Sequence, residues 1–565
     1  MKSIKTITLV ITTCIFLLLT SWSCKDQTPK PNSALASIDL KRGDLLLCST
    51  ESFGEVDFSL SCNYETRDTF DLALSLLHSF EYAEAEKAFV KVIDMDPDCA
   101  MAYWGVSMSI FQSLWMQSDL SYLEKGEKLL KLANKLPKSD LEKDYLDAIS
   151  VFYTDWDSID KLTRQRMYEK KMEELYTKHQ GDTEAAVFYA LAIRAAADPN
   201  DKSYSRQKKS GKILEGLFIE KPNHPGIAHY IIHNYDYPEL AQKGLATARR
   251  YAEIAPASAH AQHMPSHIFT RLGLWQESIN TNINSASSAI CYAESINPDA
   301  SWAQEIHAVD YLVYAYLQMG DNQKATEQLI DMQAVKDVFP KDNFAASYAL
   351  TAIPVRLALE NKRWNEAANL ELPAIKFNWD NFPWEKSILH FARALGSARS
   401  GDVVSAEKEL EIIKSFHQQL IEKNNAEATY KAGQVQIEIK TTEAWIHLAK
   451  GQKDKALTAM KLAADLESKT SKHPVTPGEV LPADELLGDM LLALNKPIEA
   501  LEAYEINLNG HPNRLNGVYG AAIAAKLSGN HEKALFYYGQ LIELTKNSNS
   551  DRPEVEEAIK FIQQS

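Results

Sequence analysis

The chain has 565 residues, 45% of them hydrophobic and 24% charged, with a formal net charge of −16 at pH 7. Such a composition buries an ample core over more than one domain and excludes a disordered protein. The excess of acid, without any long Lys/Arg tract, excludes non-specific binding to nucleic acid or to an anionic membrane surface, because like charges repel.

At the N-terminus Lys2 and Lys5 precede an apolar run, Ile7 to Leu19, which ends in the small-residue context before Cys24. The run is shorter than the roughly 20 residues of a membrane span and suits the h-region of a secretory signal. A cysteine directly after such a run, followed by a polar tether from Lys25 to Ser37, resembles a bacterial lipoprotein signal. Trp22 departs from the usual pattern, and loose versions of this kind are similar to those of Bacteroidota lipoproteins. The resemblance implies removal of residues 1–23, acylation of Cys24, and a lipid anchor in the outer membrane facing the periplasm or the cell surface. Polysaccharide degradation and uptake is the commonest setting for such proteins. Beyond Cys14 and Cys24 the body holds Cys48, Cys62, Cys99 and Cys291, which allow three full pairings in an oxidising compartment.

Residues 24–63 form the tether and a segment without clear helical period; from Tyr64 onward the pattern is almost wholly helical, with no sustained strand alternation. In FDLALSLLHSFEYAEAEKAFVKVIDMDP, Ala85, Phe89 and Pro97 fall at the spacing of a tetratricopeptide (TPR) helix-turn-helix unit. Small residues let the paired helices approach, the aromatic fills the gap, and the proline ends the second helix. The same punctuation is a Gly or Asn closing one helix and a small residue five positions later. It recurs at Gly273/Ser278, Gly320/Ala325, Gly401/Ala406, Gly451/Ala456, Asn495/Ala500 and Gly529/Ala534, and in degenerate form at Trp364/Ala367. The prediction is an all-α, irregular TPR-like superhelical solenoid of antiparallel helix pairs. It divides into N-terminal TPR-like helices (64–210), a His-rich TPR-like region (211–335) and C-terminal repeats (336–565). The charged stretch 143–176 reads as two amphipathic helices.

Seven of the fifteen histidines lie between His224 and His307. The pairs His229/His233 and His263/His267 are spaced i,i+4, which puts both rings of each pair on one helix face. His307 is followed three residues later by Asp310. Counting back from Gly273 and Gly320 places these residues on three neighbouring first helices, aimed into one concave groove. Pro265 inside the middle helix predicts a kink near Ala261 to His263. His224, before Pro225, and His260, at a helix start, read as capping or core residues. For His229, His233, His263, His267, His307 and Asp310 three readings compete. One is a transition-metal site, zinc foremost, since neutral imidazoles suit Zn, Cu and Ni. The second is a metal-free groove for a protein or peptide partner, and the third is a set of satisfied core histidines. A metal-bound water could take Asp310, Glu305 or Asp236 as base, which would make the protein a hydrolase. The chain has no HExxH, GxSxG, Walker loop or CxxC pair.

Roughly residues 55 to 545 resemble a family of bacterial TPR proteins marked by HMPSHIF and VTPGEVLPA. The resemblance rests on FDLALSLLHSFEYAEAEKAF, DPDCAMAYWGVSMS, HPGIAHYIIHNYDYPELAQKG, AHAQHMPSHIFTRLGLW, HAVDYLVYAYLQMG and HPVTPGEVLPADELLGDMLLALNKPIEALEAYE. It implies the helical repeat and no particular reaction. Asp484 stands where the family pattern has arginine, and Phe111-Gln112 replaces a more polar, His-bearing segment. A disulfide between Cys62 and Cys99 is expected because each lies in a family-like motif, FSLSC and DPDCAMAYW, flanking the first repeat. The expected function is a lipid-anchored extracytoplasmic scaffold that holds a protein partner or ligand. The alternative is a metal-dependent hydrolase or metal-binding protein that uses the histidine cluster.

Overall fold

The computed structural model describes residues 33–48, 52–114, 120–198, 201–470 and 473–565; the signal segment and the lipidation expected at Cys24 lie outside them. Among the described residues the chain is all-α, a succession of antiparallel helix pairs, apart from short 3-10 turns and one two-residue parallel bridge, Ser301–Trp302 with Val338–Phe339.

The corners between paired helices follow from backbone sterics. Gly273, Gly320, Gly401, Gly451 and Gly529 have φ between 65° and 89°, and Asn495 has φ 57°. This left-handed region closes a helix with little penalty only for Gly and, to a lesser degree, Asn. The next helix starts two residues later each time, at Trp275, Asn322, Val403, Lys453, Pro497 and His531. Phe80 and Lys362 hold the same place in their own units at φ 58° and 54°, where a branched-free L side chain costs on the order of 1 kcal/mol. Close helix approach also needs small residues. A Cβ on Gly105 would lie 2.3 Å from the Phe89 ring, which fills that gap. The stretch 143–176 contributes to the helices Asp140–Tyr153 and Lys161–Lys178. Pro265 divides the middle histidine helix into Ala259–His263 and Pro265–Leu272.

The pairs do not stay open. Pro225–Tyr235 packs against Arg67–His78, and Glu55 N donates to Asn223 O, so the first five or so pairs curve back on the first. At the other end Arg514 reaches Tyr314, Leu515 N donates to Gln318, and Ser548 donates to Met319 O. Each end of the chain is thus a closed arc around its own hydrophobic core, and a third core between 275 and 375 joins them. The expectation of an open groove lined by histidines is corrected by this closure. His229, His233, His260, His263, His267 and His307 are all buried, none more than 7% exposed.

The four described cysteines form two disulfides, Cys62–Cys99 and Cys48–Cys291. Closing the 37-residue separation of the first contributes on the order of 3 to 4 kcal/mol in the chain-entropy model. Cys62→Ala is therefore expected to lower the urea midpoint by a corresponding amount, and an unchanged midpoint would contradict that contribution.

Candidate metal centre

Two groups of three histidines lie side by side. The first begins on Pro225–Tyr235, which carries His229 and His233 one turn apart, and is completed by His260 from Ala259–His263. The Nε2 atoms of His233 and His260 are 3.1 and 3.2 Å from Nε2 of His229. His229 Nδ1 is 2.6 Å from the backbone carbonyl of His78. A carbonyl can only accept, so the His229 proton sits on Nδ1 and its Nε2 presents a lone pair. Burial pushes the His229 imidazolium down to about 3. Burial, and then the neighbouring imidazoles, push His233 and His260 well below their ordinary value. The three rings are neutral at neutral pH, the protonation state a metal requires. Phe80 caps them, its ring centre 4.3 Å from that of His229, 5.6 Å from His233 and 5.7 Å from His260.

The second group joins His263, His267 and His307, the last from Ala303–Gln318. His263 Nδ1 lies 2.7 Å from Asn282 Oδ1, while Asn282 Nδ2 donates to Ser278 O at 2.7 Å, which fixes the amide with its oxygen toward the ring. His267 Nδ1 lies 2.9 Å from Asp236 Oδ2. Both rings therefore hold a proton on Nδ1, and their Nε2 atoms face each other across 3.1 Å. Two ring nitrogens at that distance share either a proton or a cation. Two imidazoles on one tetrahedral ion, with bonds of about 2.0 to 2.1 Å, have nitrogens about 3.3 to 3.4 Å apart, close to the separations in both groups. Orientation of a ligating ring through its far nitrogen, by a carbonyl or a carboxylate, is the arrangement that raises ligand basicity in metal sites.

A third group, His78, Glu184 and His224, has a different character. His224 caps the Pro225–Tyr235 helix, its Nδ1 accepting from Ile227 N at 3.3 Å, so its Nε2 donates to Glu184 Oε1 at 2.8 Å. His78 sits between Glu184 Oε2 at 2.8 Å and the Tyr230 hydroxyl at 3.0 Å. Burial opposes ionisation of Glu184, but the two imidazoles hold it well below the usual carboxylate range. Every nitrogen has a protein partner, and the group acts as a lock that aims the His78 carbonyl at His229.

The five histidines expected at the site are thus brought together, in two groups rather than around one point. Asp310 is not among them: its carboxylate is bound by the buried Arg356 guanidinium. Asp236 is engaged by His267 and by Arg271, whose Nε is 3.3 Å from Oδ1. Glu305 is partly buried beside Ser301. Neither trio includes a carboxylate ligand, and of the three carboxylates expected as a base Asp236 alone touches a ring of the trios, through His267. Two participants escaped sequence reasoning. His260 read as a helix start, yet Ser258 is the N-cap, accepting from Ala261 N. His78 lies far upstream and meets the site only through arc closure.

The VTPGEVLPA motif also reaches this centre. Tyr311 OH donates to Val475 O at 3.1 Å while lying 3.3 Å from His267 Nδ1. Arg271, paired with Asp236, donates to Pro477 O. Tyr348 and Arg356 hold Gly478 O at 3.1 and 2.8 Å. The two signature motifs therefore meet, one supplying rings and the other holding the residues that orient them. Were a metal held by this trio, Asp236→Asn, which weakens the acceptor behind His267, would be expected to reduce its affinity about 10- to 100-fold, measured by competition with a chromophoric chelator. Unchanged affinity would show that Asp236 has only a packing role.

No family model and no curated relative matches the chain. Solved structures to which it is similar include human IFIT1 in a dimer with m7Gppp-AAAA, at 12% identity over 86% of this chain and 96% of that one, with a TM-score of 0.37. Yeast Tom70 is 13% identical over 88% of this chain and 95% of its own, with a TM-score of 0.31. The APC/C hetero-tetramer Cut9–Hcn1 is 11% identical over 88% and 89%, with a TM-score of 0.30. At these values the likeness concerns the fold alone.

Proposed function

We propose that this chain is a metal-binding protein whose two adjacent three-histidine groups each hold a transition-metal ion. The observation that carries the reading is the pair His263 and His267. Each commits Nδ1 as a donor, to Asn282 and Asp236, and the two Nε2 atoms face each other at 3.1 Å, close to the separation of two imidazoles on one tetrahedral ion. In the same proposal a lipid on Cys24 anchors the body at the outer membrane, outside the cytoplasm. The pairing of all four described cysteines supports an oxidising compartment. Metal analysis of the tag-free protein, loaded with zinc or copper and dialysed, is the test. Two ions per chain are expected, and none in a variant that combines His233→Ala with His263→Ala and His267→Ala; a wild type that retains no metal sinks the reading.

A second reading, a scaffold that docks a protein or peptide, is favoured by a cleft of about 420 Å³ between Glu505 and Gln540 rather than by the histidines. Phe536 at its rim is 64% exposed. A photo-crosslinking residue at position 536 is expected to give one discrete adduct in cells, and no adduct would remove this reading.

A further inference from the structure

Resting on the metal-binding reading of the two trios, we propose that they hold a pair of copper ions that act as one centre and take up dioxygen between them. The trios are contiguous. Ring centres of His233 and His267, from different trios, are 6.4 Å apart, as are those of His260 and His263. Within single trios, His233 and His260 are 6.5 Å apart and His267 and His307 6.4 Å. Rings of different trios thus approach as closely as the outer rings of one trio, which brings ions bound by successive trios near enough to share one small bridging molecule, as paired metals in two-metal sites do.

Charge selects the metal. The ligand set is imidazole throughout, without a carboxylate, and every ring is buried. The cost of placing an ion in such surroundings grows as the square of its charge, about fourfold from a monocation to a dication. The carboxylate behind His267, Asp236, is already shared with Arg271. Among the metals imidazole binds, copper has a stable monocation, and two cuprous ions bring half the charge of two zinc ions.

Charge also selects the bound molecule. When dioxygen bridges two cuprous ions, each copper gives up one electron and the dioxygen takes both. The ions become cupric, the bridge becomes a dianion, and the net charge of the centre stays at two positive charges. No proton has to enter, no bond to the protein forms or breaks, and return of both electrons to copper releases dioxygen. Size agrees with this. Phe80 covers the first trio, and the Tyr311 ring stands 4.7, 5.2 and 5.4 Å from those of His263, His267 and His307. Aromatic rings packed this closely against both trios favour the smallest bridging molecule.

The full-length protein, stripped of metal, would be loaded with cuprous ion without air, its copper counted, and then exposed to dioxygen in an oxygen-electrode cell. Two coppers per chain, uptake of one dioxygen per two coppers, a cupric X-ray absorption edge and no cupric paramagnetic resonance signal are the expected results. The silence follows because two cupric spins joined through one bridge cancel. His233→Ala and His307→Ala, each checked for native circular dichroism, are expected to bind one copper and to show its full resonance signal after oxidation. Two coppers with a full uncoupled signal, or no dioxygen uptake, would overturn the coupled centre while leaving metal binding intact. Failure to retain either copper or zinc would overturn both, and neither result depends on a variant folding.

Discussion

Replacing Arg514 by methionine is expected to destabilise the protein by about 3 to 5 kcal/mol, the usual consequence of removing one partner from a buried ion pair. Arg514 is fully buried. Its Nε and one terminal nitrogen each lie 2.9 Å from the Glu485 carboxylate. That same terminal nitrogen is 2.7 Å from Glu360 Oε1, and the other donates to Tyr314 OH at 2.9 Å. Glu360 also accepts from Gln318 at 3.0 Å and Asn516 at 2.8 Å. One guanidinium therefore ties together Ala303–Gln318, Phe344–Glu360 and Ala483–Ala493, just before Leu515–Leu527 begins. Without it two carboxylates are stranded away from water, and the C-terminal arc loses its closure. A lower urea midpoint together with faster hydrogen exchange in Phe344–Glu360 would support this. The double variant Arg514→Met/Glu485→Met is expected to recover part of the loss because it strands one carboxylate fewer. A single variant that melts like wild type would show that the network contributes nothing net.

The second large effect is on melting. A metal that binds only the folded state stabilises it by RT ln(1 + [L]/Kd), about 2.7 kcal/mol at a hundredfold excess over Kd. Chelator is therefore expected to lower the melting temperature of metal-loaded wild type and to leave that of His263→Ala/His267→Ala unchanged. This pair is chosen because its rings have their tautomers fixed most firmly, by Asn282 and Asp236. Equal melting with and without chelator, in protein shown beforehand to be loaded, would mean that the rings are structural.

The all-α repeat was legible because left-handed helix ends admit so few residue types. Gly273, Gly320, Gly401, Gly451, Asn495 and Gly529 announce their corners, whereas Phe80 and Lys362 adopt the same conformation without announcing it. At the site, local spacing was legible and tertiary partnership was not. An i,i+4 pair shares a face in any helix, so His229/His233 and His263/His267 could be read directly. Which third ring joins each pair depends on how neighbouring helices are set, and His260 looked like a helix start until Ser258 took that place. Asp310 shared a helix with His307 but is held by Arg356, forty-six positions later. Arc closure was invisible because the repeat fixes how helices pair and not how far the array curves. The residues that bury the rings, His78 and Phe80 from the start of the array and Val475 to Gly478 from near its end, are distant in sequence.

The most direct test is diffraction from crystals of the metal-loaded protein, with anomalous differences recorded on both sides of the metal's absorption edge. The account predicts two peaks. One should lie about 2.0 to 2.1 Å from a ring nitrogen of each of His229, His233 and His260, and the other at the same distance from His263, His267 and His307. No peak at either trio, or a single peak at His78, Glu184 and His224, would contradict it.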